Sequence, residues 1–331
     1  MKSAAIAALT LAWFTGAVSA ADTLVVYSAR NEQLIKPLFE RYTAETGTQI
    51  KFITDKEGAL LARLKAEGAH TPADILVTVD AGNLWQAAQE GVLAPVDSPM
   101  LKQNIPSHLR DAQGRWYGLS VRARTVVYST QRVKPGELTT YEALGDAKFK
   151  DRLCLRTSKK VYNQSLVAMM IARHGEAKTE QIVRSWVKNL AAPVFADDTQ
   201  LMNAIVAGQC DVGIVNTYYF GRLKKKEPQA PIALFWPNQK SSGVHVNVSG
   251  AGVTAHAKQR AGAIKLLEWL SSPVAQNLFA DENLEYPANP AVKPHAIVAA
   301  WGSFKPDTIN VAEAGRLQAQ AVKLMDRAGY K

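Results

Sequence analysis

Along the chain, short runs of apolar and β-branched residues alternate with stretches whose apolar positions recur every three or four residues. "TLVVYS" (23–28) reads as a buried strand. In the next stretch Leu34, Ile35, Leu38, Phe39 and Tyr42 share one helical face, with Ser28 or Asn31 at its start and Gly47 at its end. "QIKFIT", "GALLARLKAEG", "ADILVTV" and "AGNLWQAAQEG" continue as strand, helix, strand and helix. That order predicts a parallel sheet covered by helices on both faces.

The pattern loosens from Pro95 to Ser120 and then resumes as a long strand, "LSVRARTVVYST" (119–130). "YEALGDAKFKDRLCLR" predicts a helix and then a strand. Three helical stretches follow, "QSLVAMMIARHG", "TEQIVRSWVKNLAA" and "DTQLMNAIVAGQ", and then a buried strand, "CDVGIVN". "SGVHVNVSGAGVTA" is β-like, "QRAGAIKLLEWLSS" is a helix stopped by Pro273, and "VAEAGRLQAQAVKLMDRAGY" is a final helix. Strands near 120–128 and 245–252 give two crossings between halves. The expected architecture is therefore α/β: a two-lobed clamshell with crossover hinge strands and a ligand cleft between the lobes. The first lobe takes 21–122 plus about 245–295, and the second takes 123–244 plus about 296–331.

Residues 1–20 do not fit this rhythm. Lys2, the apolar "AAIAALTLAWF" and the small-residue end "VSA" make an export signal, too short to span a bilayer. The expectation is a cleaved signal peptide and an exported, soluble product. The chain has 331 residues and a formal charge of +10. The positive charge is scattered, its one dense cluster being "RLKKKE" at 222–227, and no basic-plus-aromatic array or zinc-finger spacing argues for nucleic acid. Cys154 and Cys210 suit an oxidising compartment, where a bridge would close a loop of roughly 57 residues and stabilise by about 4 kcal/mol.

Catalysis finds little support. The six histidines form no metalloprotease arrangement, and neither a nucleophile elbow nor a phosphate loop occurs. Three tyrosines carry more. Tyr162 lies where a loop enters a helix, and Tyr218 and Tyr219 lie where a buried strand ends. Cys154 precedes Tyr162 by the same eight residues that separate Cys210 from Tyr218. Two arms tied at their bases would deliver the phenols to one place. Phenolate is a hard, anionic oxygen donor that suits a hard cation, Fe(III) above all. The competing reading makes the same rings packing aromatics.

At these residues the sequence resembles the periplasmic ferric-ion-binding proteins of bacterial iron ABC importers, transferrin-like in chemistry and built on the two-lobed periplasmic binding protein fold. The stretches that carry the resemblance are "YSARNEQLIKPLFE", "ADILVTVDAGNLWQA", "VRARTVVYST", "VYNQSLVA" and "CDVGIVNTYYFGRL". It implies Fe(III) held by Tyr162, Tyr218 and Tyr219, with a synergistic carbonate or similar anion anchored by Arg30 and Arg124. An arginine offers such an anion a planar fork. It also implies a periplasmic, monomeric protein that delivers its cargo to an inner-membrane ABC permease. The chain departs from the family pattern after the first strand. Where several members carry His or His-Tyr, it has Asn31 and Glu32. Asn31 can bond the anion through its amide; Glu32 could be a metal ligand, but as a first-turn residue it more simply serves the helix dipole and is left out of the metal set. Asp80 is expected to cap the helix that follows it. The rival readings are a binding protein for a small anion or polyamine, and an exported hydrolase or transferase acting on an acidic substrate.

Overall fold

The computed structural model describes residues 23–331; the predicted signal segment lies outside the described residues. Nine strands are present among them: β1 (Thr23–Ser28), β2 (Gln49–Thr54), β3 (Ile75–Val79), β4 (Tyr117–Ser129), β5 (Leu153–Cys154), β6 (Val212–Asn216), β7 (Ile232–Phe235), β8 (Val246–Val253) and β9 (Tyr286–Pro287). The helices are α1 (Glu32–Thr46), α2 (Glu57–Glu67), α3 (Ala81–Gln89), α4 (Pro99–Asn104), α5 (Val161–His174), α6 (Glu176–Lys188), α7 (Asp198–Val206), α8 (Thr217–Lys226), α9 (Arg260–Leu270), α10 (Pro273–Asn283), α11 (Ala296–Ala299), α12 (Glu313–Arg316) and α13 (Gln318–Arg327).

The strands run in the order β2-β1-β3-β8-β4-β6-β5, with β7 and β9 also paired to β4. β1 pairs in parallel with β2 and β3, as the alternating pattern predicts, but β8 joins β3 antiparallel, so the sheet is mixed. β4 is the element that joins the halves. Residues 117–123 pair with β8, and from Arg124 onward the partners are β6 and β7. The crossing therefore falls between Ala123 and Arg124.

Each half has its own core. The first gathers buried side chains of α1, α3, α9 and α10 against β1, β3 and β8, and Phe304 and Val311 pack on it as well. In the second half, strand alternation splits the apolar residues between two faces. Val126, Val212 and Ile214 meet α5, α6 and α13, while Val127, Cys154 and Val215 meet α7 and α8. The Cys154–Cys210 disulfide lies in that last layer.

Three local expectations are corrected. The stretch 141–150 is not an α-helix but two 3-10 turns, Glu142–Gly145 and Ala147–Phe149, separated by Asp146 in an extended conformation. The last helix is broken at Leu317 (φ −103°, ψ 3°) into α12 and α13. Pro273 ends nothing by itself: it is the first residue of α10, where its missing N–H costs nothing, and Ser272 caps that helix through Ala275 N.

Candidate metal-binding cleft

β5 and β6 are parallel neighbours, pairing Leu153 with Val212 and Cys154 with Gly213. Their carboxyl ends face the same way, as ligand-bearing edges of α/β sheets do. Each leads into a helix whose second residue is a tyrosine: Tyr162 of α5 and Tyr218 of α8. Tyr219 follows at once. Adjacent side chains in a strand would point to opposite faces, but on a helix they diverge by only about 100°. The Tyr218 and Tyr219 rings accordingly lie side by side, with centroids 4.4 Å apart. Tyr162 and Tyr218 interact through their hydroxyls. All three phenols therefore converge, and first-turn positions place them at the positive ends of two helices, where an anionic oxygen is favoured.

The three tyrosines line a cleft of about 640 Å³. The cleft is also lined by Arg30, Asn31, Glu32, Asp55 and Glu57 from the start of the chain and by Glu285, which the chain brings back beside Arg30. Tyr162 and Tyr218 are each 8% exposed. Burial pushes the Tyr162 phenol up to about 12, against the opposing pull of Arg122. Tyr218 is raised as well, by burial and then by its two phenol neighbours. Cations crowd the rings. Lys160 lies 4.9 Å and Arg122 5.7 Å from the Tyr162 centroid, and Arg222 lies 5.1 Å from that of Tyr218. Arg156 stands 5.5 Å from Tyr162 and 5.9 Å from Tyr219. These cations favour the phenolate form, but burial outweighs them at Tyr162 and Tyr218. Among the described residues no group of three His, Cys, Asp or Glu side chains gathers to hold a metal, so a metal in this cleft would depend on the phenols.

The arginines are placed differently from expectation. Arg124 does not line the cleft. Its Nε donates to Asn163 Oδ1 (2.9 Å), Nη1 to Asp198 Oδ2 (3.1 Å) and Asn216 Oδ1 (3.2 Å), and Nη2 to the Ile214 carbonyl (3.2 Å). It is a buried pin joining the starts of α5, α7 and α8. Arg122, two residues earlier, has the same strand parity but lies before the crossing, and it lines the cleft. It is 2% exposed, donates to Ser249 Oγ at 3.1 Å and, among the described residues, has no ion pair. Sequence reasoning missed it, although it stands in the same "RAR" motif. Arg30 does reach the cleft wall, but its charge is already matched: Nη2 lies 2.9 Å from Glu285 Oε2, and Ser120 Oγ donates to the same oxygen. Burial alone would raise the Glu285 carboxyl, yet Arg30 and Arg122 hold it below the usual range.

Asn31 lines the cleft and makes no side-chain capping bond to α1. Asp80 is the cap of α3, accepting from Gly82 N at 2.9 Å. It sits at a positive φ of 78°, and it also accepts from Ser165 Oγ of α5 at 2.6 Å and from Asn247 Nδ2 at 2.9 Å. It thereby links the two halves behind the tyrosines.

The family described as bacterial extracellular solute-binding proteins matches residues 37–306. The chain is 42% identical over 312 residues to Iron uptake protein A1 of Synechocystis sp., covering 92% of this chain and 87% of that one. The solved structure of the Trichodesmium protein IdiA (FutA), in complex with iron and citrate ligands, superposes with a TM-score of 0.90 at 42% identity, covering 93% of this chain and all of that one. Ferric iron-binding protein A of Mannheimia haemolytica, in an open conformation, gives a TM-score of 0.89 at 35% identity over 94% of this chain and 99% of that one. The two-lobed architecture is thus that of periplasmic ferric-binding proteins, and the chain belongs to the bacterial extracellular solute-binding protein family rather than to any class of enzyme.

Proposed function

We propose that this protein captures Fe(III) in the periplasm and delivers it to an inner-membrane ABC permease. Tyr162, Tyr218 and Tyr219 each give the ion a phenolate, and three such charges balance a trivalent cation. The observation that carries the reading is the convergence of these three phenols in a cleft lined by Arg122, which makes no direct ion pair among the described residues. A synergistic carbonate or similar anion fills the remaining positions, and Arg122 is its main anchor. Arg30 and Asn31 meet it from the opposite wall as the lobes close. Arg124 supports the tyrosines from below rather than touching the anion. The iron and citrate ligands of the Trichodesmium structure and the ferric-binding names of other relatives support the choice of cargo.

Titration with ferric citrate, with and without bicarbonate, tests the reading. Bicarbonate should tighten retention, and Arg122→Met should abolish most of that gain while leaving some phenolate-bound iron. Equal retention with and without the anion would remove carbonate from the account.

Release follows from proton linkage. Phenols are protonated at neutral pH, and burial holds the protons of Tyr162 and Tyr218 more tightly still, so iron must displace them. Affinity therefore falls as pH falls, by about tenfold per pH unit for each proton displaced. Competition against a chelator of known pH dependence measures the slope. Equal affinity at mildly acidic and neutral pH would contradict it.

A further inference from the structure

Arg156 stands between two of the phenols, and the structure fixes it from several sides. Its guanidinium is within 6 Å of both ring centroids, 5.5 Å from Tyr162 and 5.9 Å from Tyr219. Nε donates to the Ala196 carbonyl at 3.1 Å. Nη1 lies 3.5 Å from Asp198 Oδ1, too far for a good hydrogen bond, and this buried nitrogen has no other acceptor. The residue is 7% exposed. A buried, incompletely satisfied guanidinium beside two phenols is placed to donate to phenolate oxygens when these form.

The backbone of the same residue is held by the last turn of the chain. Tyr330, 2% exposed, donates its hydroxyl to the Arg156 carbonyl at 2.6 Å. Asn163 Nδ2 donates to the same carbonyl at 2.8 Å and to that of Thr157 at 2.9 Å. Ser158 N donates to the Lys331 carbonyl at 2.8 Å. The segment that follows α13 therefore straps the 156–158 loop, which leads directly into Tyr162. Without the hydroxyl of Tyr330 the Arg156 carbonyl would lose one of its two side-chain donors and keep Asn163 Nδ2.

Resting on the ferric reading above, we propose that Tyr330 is a positioning residue of the cleft: it fixes Arg156, whose guanidinium holds the oxygens of Tyr162 and Tyr219. Groups one step removed from a metal set ligand orientation, and their loss costs about 10–100-fold in metal affinity.

The test compares the unsubstituted protein, Tyr330→Phe, Arg156→Met, Arg156→Lys and the Tyr330→Phe/Arg156→Met pair, each loaded with ferric citrate and bicarbonate. Three quantities are read: the maximum of the phenolate-to-iron absorption band, the rate of iron loss to excess EDTA, and the thermal midpoint of the iron-free protein. Tyr330→Phe should shift the band and speed iron loss by about tenfold or more, with a thermal midpoint close to that of the parent. Arg156→Lys should recover part of what Arg156→Met loses. The pair should lose no more than Arg156→Met alone, since both act on one contact. An unchanged band and release rate in Tyr330→Phe would overturn the proposal, as would losses that simply add in the pair. If Tyr330→Phe does not fold, Arg156→Met provides the readout with the Tyr330 bond intact, and an unchanged band there overturns the proposal equally. A band missing from the unsubstituted protein would instead count against the ferric reading itself.

Discussion

Tyr219→Phe should lower ferric affinity by more than about a hundredfold, beyond the range expected for groups one step removed from the metal, and should bleach much of the visible band. Among the three phenols this is the cleanest to remove. Tyr218 accepts from the buried Asn216 amide at 3.2 Å, so its loss would leave a buried donor unpaired. Tyr219 is only partly buried, and the ring that remains in Phe still packs, tilted, against Tyr218. Fold and site are therefore separable at this position. The melting temperature should hardly move while iron retention collapses. Isothermal competition with a chelator and a thermal scan of the same sample would show both. A variant that keeps its iron would remove Tyr219 from the ligand set.

The second large effect concerns the base of the two arms. Replacing Cys154 and Cys210 together by Ala opens a bridge between residues 56 apart in sequence. The chain-entropy estimate for that loop is about 4 kcal/mol. Urea unfolding of the oxidised protein and of the Cys154→Ala/Cys210→Ala variant measures it. The loss should also reach the cleft, because β5 and β6 are held side by side here before each leads to its tyrosine. The variant should release iron faster than the parent even where both are fully folded. A variant as stable as the parent would show that the apolar layer around Leu201, Ile205 and Val215 already fixes the two strands.

Much of this architecture is legible in the chain because its signals are local. The helix faces of α1, α3, α7 and α9 and the strands β1 to β4 follow from period and turn residues. The equal spacing from each cysteine to its tyrosine survives as a real arrangement, two parallel strands feeding two helix starts. What the pattern conceals depends on partners distant in sequence. Arg122 and Arg124 are alike to any rule of strand parity, and only the change of partner from β8 to β6 between them sends one to the cleft and the other to Asp198. The antiparallel entry of β8 is likewise a matter of chain return rather than of composition. The breaks at Asp146 and Leu317 interrupt helical periodicity without a proline or glycine at the break itself. By contrast, the Ser272–Pro273 start of α10 was available as a cap followed by a first-position proline, and reading the proline only as a stop concealed it.

The claim on which everything else depends is that three phenolates hold one ferric ion. The most direct measurement is the visible absorption spectrum of protein loaded with ferric citrate and bicarbonate and then desalted, recorded for the parent and for Tyr162→Phe, Tyr218→Phe and Tyr219→Phe. The account predicts a charge-transfer band with iron retained near one per chain, weakened by each substitution. A colourless protein, or bound iron whose spectrum ignores all three substitutions, would contradict it.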